Sequence, residues 1–454
     1  MKPLYSIKQK AQSLKLKVQS GMQPFAFGLM LCASLALCWS CANIEDATPS
    51  ERKTFIRFYE APRNLAGVAA EPTDDGYIII GQETVSSGNV NGLVFRTDVN
   101  GAETAPRMVL PGFTPSAVKK ATGGYYVSGD RIQFNPDAEN LFDLTVTSAM
   151  MYRISLSGAD TASFRMRDKA TTAKTDYRGS SVTVDDNNNV ILLGTFKEAR
   201  AVAYERPFLV ALNASTLDSV WSKRYDALER DYVNSKSLFT NGSGQIIWAT
   251  ALLREAGDLS RTFLAVPYVE ENSVFINSDL FGETSDQKLL ANDLEQAFAP
   301  ELGFGLIGTY SQPTGGSANM FFIRVDNRGN FIADSDRYFD ADLSADGEAV
   351  TQGLSSSQET GDALTATRDG GFILAGSFIS TPQRGNGGTD IFLVKVSAKG
   401  NMIWNKIIGG SGDETVNSIR ETADGSLLLC GTNAVSGLSS IFLMKVDKEG
   451  NLND

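Results

Sequence analysis

The chain has 454 residues, with 41 Lys and Arg against 53 Asp and Glu, a formal charge of −12 and no histidine. So acidic a chain repels phosphate backbones, which excludes nucleic acid as a partner. Without imidazole there is no Ser-His-Asp or Cys-His nucleophile system and no His-ligated zinc, copper or iron. Carboxylate chemistry and oxygen-ligated calcium survive that exclusion.

Residues 1–23 carry five lysines and no acid, and Pro24 to Ser40 is an uncharged apolar run of 17 residues. A spanning helix needs about 20, and a basic segment followed by a shorter apolar one reads as a secretory signal. The order Ser40-Cys41, followed by small and acidic residues, resembles the lipobox of bacterial lipoproteins. In that motif the cysteine after a small residue is acylated and becomes the mature N-terminus. The resemblance implies lipid on Cys41, residues 1–40 as signal peptide and 41–52 as a flexible tether. Cys38 and Trp39 stand where a typical lipobox has Leu and a small residue. Plain secretion after the small-x-small site Ser40-Cys41-Ala42 and an uncleaved anchor are the two other readings. Glu45 and Asp46 resemble the acidic export signal of surface lipoproteins in Gram-negative bacteria, which implies the outer membrane and the cell surface. Loss of residues 1–40 takes the formal charge from −12 to −17. Beyond Cys41 only Cys430 remains, inside an apolar run, and it reads as a buried small hydrophobe.

From residue 53 onward the chain repeats itself. A polar turn leads into an apolar run closed by Gly, and a second apolar run follows, often ending in Asp-x-x-Gly. Seven such pairs occur, marked by Gly81, Gly129, Gly194, Ala249, Gly308, Gly376 and Gly431, with spacings of 48, 65, 55, 59, 68 and 55. Upstream of the pairs lie small-residue segments (116–121, 180–185, 363–368, 417–422), and downstream lie further strand-like runs (219–225, 274–280, 402–408). Each unit therefore predicts a four-stranded meander of roughly 50 residues, with no helical periodicity. The expected fold is all-β, a seven-bladed β-propeller spanning 53–454. The last unit lacks a fourth strand, and Lys53–Glu60 supplies one from the other terminus, closing the ring and removing an unpaired edge. In that strand Phe55, Arg57 and Tyr59 alternate with Ile56 and Phe58.

The stretch from Asp369 to Thr432 resembles a bacterial and archaeal repeat family of secreted β-propellers. Its phrase is T-x-D-G-G-x-I-x-x-G followed by K-x-D-x-x-G-N. The likeness is close in units six and seven, fair in one and five and poor in two to four. It implies the fold and an extracytoplasmic location, and no single activity.

Candidate chemistry is sparse. Asp185, Asn187 and Asn189 fall at positions 1, 3 and 5 of a calcium loop, but Val190 and Phe196 stand where Gly and Glu belong. The stretch reads as an Asn-rich hairpin turn, and the Asp-x-x-Gly sites at Asp98, Asp326 and Asp447 read as turns too. No carboxylate pair singles itself out for glycoside hydrolysis. Trp221 and Trp404 occupy matching fourth-strand positions, suited to sugar stacking or to packing between blades, and Trp248 reads as core. One face of the ring should carry short turns and the other long, dissimilar connections at 130–148, 196–206, 252–261 and 378–389. Binding residues concentrate on such connections, which makes Arg131, Phe134, Phe142, Arg254 and Arg384 the candidate partner contacts. The reading is a non-enzymatic, lipid-anchored binding or scaffold protein of the outer membrane, without cofactor or metal, serving a protein partner such as a transporter or export assembly. A carboxylate-using polysaccharide enzyme and a stand-alone glycan-binding lipoprotein are the alternatives.

Overall fold

The computed structural model describes residues 54–452, apart from 87–88, 135–144, 158–160, 167–174, 199–203, 226–230, 242–243, 254–260, 271–278, 283–287, 300–302, 312–317, 342–357 and 382–383. The expected signal peptide, Cys41 and the expected tether, residues 1–52, lie outside the described residues. Among the described residues there are strands and turns and no α-helix. The architecture is a propeller-like succession of antiparallel meanders.

Three meanders form separate four-stranded sheets. The first comprises Leu65–Pro72, Gly76–Ser86, Asn89–Asp98 and Met108–Pro111. The second runs through Phe113–Ala121, Gly124–Phe134, Thr145–Ile154 and Thr161–Arg165. The third runs through Thr175–Val184, Asn189–Glu198, Arg206–Asn213 and Ser219–Arg224. Units four and five share one larger sheet through a single parallel bridge, Thr262 with Lys288, and units six and seven share another through Thr389 with Asp413. The strand Phe55–Tyr59 pairs antiparallel with Leu438–Val446, as its alternation predicts. Phe55 and Tyr59 are 5% and 4% exposed, against 38% and 45% for Ile56 and Phe58.

The uniformly apolar second strands have a simple cause. Successive side chains point to opposite faces of a sheet, and both faces are covered. Ile79 packs with Leu428, Cys430 and Leu443 of the last unit, while Ile78 and Ile80 pack with Tyr125 and Val127 of the second. Likewise Leu192 faces Tyr126 and Met151, and Ile191 and Leu193 face Trp248. The core is a series of clusters, most of them between successive units, and one of them joins the last unit to the first. Trp248 is fully buried, Cys430 is a buried free thiol whose pKa burial pushes up to about 12, and Trp404 packs over Gly450. Trp221 is partly buried in the cluster that holds Trp248, so both matching tryptophans pack between units.

The repeated phrase turns out to be one interaction. In the Thr-x-Asp-Gly turns, Thr367 Oγ1 donates to Asp369 Oδ1 at 2.6 Å and Thr422 Oγ1 to Asp424 Oδ1 at 2.5 Å. The basic residue of the third strand then reaches the same carboxylate. Lys395 Nζ is 2.6 Å from Asp369, Lys445 Nζ is 2.9 Å from Asp424, and Arg96 is 2.5 Å from Asp75. Burial works to raise the Asp369 carboxyl, but the hydrogen bonds from Lys395, Thr367 and the Gly371 N–H outweigh it and hold it down at about 2. The Asp-x-x-Gly sites are turns, as expected. Asp98, Asp326 and Asp447 each accept two backbone N–H groups, and the glycine takes a left-handed φ of 76°, 81° and 77°. In the candidate calcium loop Asn188 takes that role at φ 58°, and Asp185 bonds the Asn189 N–H and side-chain amide at 2.7 and 2.9 Å.

Candidate functional site

The first strands of the units line one cavity of about 430 Å³. Their composition differs from the second strands because one face meets water. Six of these pairings with the second strands carry a bulge, five of them at a fixed place: the register shifts at Val68, Ser116, Ser180, Asn292 and Asn417, and twice around Lys236. A bulge aims its extra residue out of the ladder, and all of these residues line the cavity. The marking glycine sits beside the bulge, where a Cβ on Gly308 would lie 1.9 Å from the Leu290 carbonyl oxygen and one on Gly431 2.0 Å from that of Thr415. Ala249 stands at the mark in the fourth unit, and there the facing strand departs from the others, with its two shifts and Ser237 at φ 54°.

The same level carries links between successive units. Gly67 N–H donates to Thr432 Oγ1 and Gly361 N–H to Thr309 Oγ1, each at 3.2 Å. Asn417 Nδ2 donates to the Gly67 carbonyl and Asn292 Nδ2 to the Gly361 carbonyl, each at 2.7 Å. Asp130 replaces threonine in this scheme, accepting the Gly179 N–H at 2.6 Å. Burial pushes its carboxyl up to about 6, against that hydrogen bond and the nearby Arg178.

Three residues beyond the bulge lies a charged level. Lys119, Glu295 and Arg420 face the cavity there, and Arg420 Nε is 3.0 Å from Glu71 Oε1. Glu295 makes no hydrogen bond or ion pair among the described residues. Burial pushes its carboxyl up to about 7 although Arg420 and Lys119 pull the other way. The remaining acids of the lining are tied to the wall. Asp293 Oδ2 accepts the Leu364 N–H at 3.0 Å, Glu205 Oε1 accepts from Thr195 at 2.6 Å, and Asp362 Oδ2 from Thr360 at 2.6 Å and Ser377 at 3.4 Å. Among the described residues no three Asp, Glu or Cys side chains cluster so as to hold a metal ion.

The partner contacts expected from sequence lie elsewhere. Arg131 is half-buried on the strand Gly124–Phe134, opposite Phe113. Phe134 ends that strand, paired with Thr145, and Arg384 begins the strand Arg384–Val396, paired with Thr381. Phe142 and Arg254 lie outside the described residues. One of the expected long loops is corrected: 378–389 is largely an extended hairpin, because its second and third strands continue pairing past their neighbours. At 130–148 the flanks Asp130–Phe134 and Thr145–Ser148 are paired strand, and 135–144 lie outside the described residues. At these hairpin ends aliphatic side chains are bare. Val85, Ile132, Ile379, Val435 and Leu438 are 39–59% exposed, and they belong to units one, two, six and seven, which pack in succession. The cavity-lining residues were not anticipated. Their signal was the polar, small-residue composition of the first strands, such as "SAVKKA" and "NSIRET".

No protein-family model matches the sequence, and no curated protein matches it. Similar solved structures include the quinohemoprotein alcohol dehydrogenase of Comamonas testosteroni, with 8% identity, a TM-score of 0.46, and coverage of 88% of this chain and 78% of that one. The acylaminoacyl peptidase of Pyrococcus horikoshii is 10% identical at a TM-score of 0.44, covering 86% and 52%, and the sialidase of Trypanosoma rangeli is 13% identical at 0.41, covering 76% and 56%. This chain thus spans about half the length of the latter two. At TM-scores below 0.5 these likenesses carry no argument about activity.

Proposed function

We propose that the protein is a lipid-anchored, seven-bladed β-propeller of the cell envelope that acts as a non-enzymatic binding or scaffold subunit, held at the outer membrane through Cys41. The single observation that supports a docking role is the set of bare aliphatic residues on the hairpin ends of four successive units. Exposed apolar groups collected on one face suit a protein partner. The turns of the opposite face carry bare aliphatics too, among them Leu156 and Ile332, but on turns pinned by side-chain hydrogen bonds and scattered around the ring. Pairing of Phe55–Tyr59 with Leu438–Val446 supports closure of the ring by the N-terminal strand.

The test is co-purification from detergent-solubilised membranes with the anchor retained. The triple variant Ile132→Asp, Ile379→Asp, Leu438→Asp should lose a partner that the wild type retains, with its melting temperature unchanged. Equal recovery of the same partner would remove the hairpin face from the interface. The carboxylate-enzyme alternative would draw on Asp130 and Glu205, both of which are committed to wall donors.

A further inference from the structure

Four cationic side chains line the cavity: Lys119, Arg178, Lys236 and Arg420. Arg420 is engaged by Glu71. The side chains of the other three make no ion pair and donate no hydrogen bond among the described residues, although Lys119 Nζ lies 5.9 Å from the Phe239 ring centroid. Arg178 acts on Asp130, and Lys236 on Asp362, only through the field between them. Four of the five acids of the lining are in the reverse condition. Asp130, Glu205, Asp293 and Asp362 turn lone pairs toward backbone N–H groups and hydroxyls of the wall. Arg178 and Lys236 are both exposed. Arg178 stands two residues before the bulge of its strand and Lys236 at the bulge of the next, so both lie toward the end where the first strands begin.

Water-facing cations whose neighbouring acids are already satisfied are the groups that an incoming anion can pair without breaking a wall contact. We propose that the cavity binds a small organic oxyanion, a carboxylate or a phosphate ester, through Arg178 and Lys236, with Lys119 farther along the same wall. A guanidinium offers a planar pair of donors that matches carboxylate and phosphate oxygens, and an ammonium adds a point charge. The cavity, at about 430 Å³, has room for a solute of that class. Burial shifts the Asp130 and Glu295 carboxyls upward, to about 6 and about 7, which favours their neutral forms and lowers the negative charge that an anion would meet.

Calorimetric titration of the full-length, detergent-solubilised protein tests this, with citrate, inorganic phosphate and glucose as separate probes. Saturable binding of citrate or of phosphate is expected, and which of the two binds separates the carboxylate from the phosphate source. Arg178→Gln and Lys236→Gln should each weaken it at least about tenfold, the scale of a charge-assisted hydrogen bond. Because both side chains are exposed, the melting temperature without ligand should stay at the wild-type value. No saturable anion binding, affinity unchanged in the double variant, or binding of glucose in place of the anions would overturn the proposal.

Discussion

Replacing Phe55 and Phe58 one at a time by alanine separates the two faces of a single strand. Phe55 is 5% exposed, with its ring centroid 6.0 Å from that of Tyr77 and its edge against Gly101. Phe58, three residues on, is 45% exposed. Truncating a buried phenylalanine costs about 3–5 kcal/mol, transfer and cavity together. An exposed one costs no more than about 0.5 kcal/mol. Against a total of about 5–15 kcal/mol, the first change takes a large share of the stability and the second almost none. Urea unfolding followed by tryptophan fluorescence should show the Phe55→Ala midpoint lowered by on the order of 1 M and that of Phe58→Ala unmoved. Equal midpoints for the two variants would mean that the strand does not pack as described. A chain starting at Ala61 should go further and aggregate, because the Leu438–Val446 edge is then bare.

Asp369 is held low, so its contribution is present above its unfolded value near 4 and lost as pH falls from about 4 to about 2. Asp369→Asn should therefore cost about 1 kcal/mol at neutral pH, discounted for an exposed carboxylate, and flatten acid unfolding in that window. Glu295 and Asp130 are shifted the other way, so the folded state binds extra protons between about pH 4 and pH 7 and stability declines across that range. Unfolding midpoints from pH 4 to 8 should fall less steeply in Glu295→Gln than in wild type, and parallel slopes would refute the assignment. Gly431→Ala places a methyl 2.0 Å from the Thr415 carbonyl and should cost about 1–3 kcal/mol by thermal melting. Cys41→Ala should release the protein into the soluble fraction or stall its processing, and membrane retention with an intact, uncleaved N-terminus would exclude acylation.

The meander and its turns were legible in the sequence because their causes are local. A Thr-x-Asp-Gly turn needs its own threonine and glycine, an Asp-x-x-Gly turn its own backbone, and a run such as Ile78-Ile79-Ile80 announces burial on both faces. The pairing of Phe55–Tyr59 was legible from alternation and from the strand missing at the far end. The lining of the cavity was not, because its residues come from strands far apart in the chain: Arg178 and Lys236 meet one space only when the units pack side by side. Tertiary structure alone also decided the state of the acids. Asp130 in isolation is an ordinary carboxylate, and it becomes a link between units because Gly179 of the next sheet brings an N–H to 2.6 Å. The hairpin at 378–389 misled the reading for the same reason, since ladder hydrogen bonds carried the glycine-rich segment from Arg384 to Thr389 into a strand that its own propensities disfavour. Local chemistry wrote the turns and the buried runs, while contacts across the units set which side chains face water together and which charges stay unpaired.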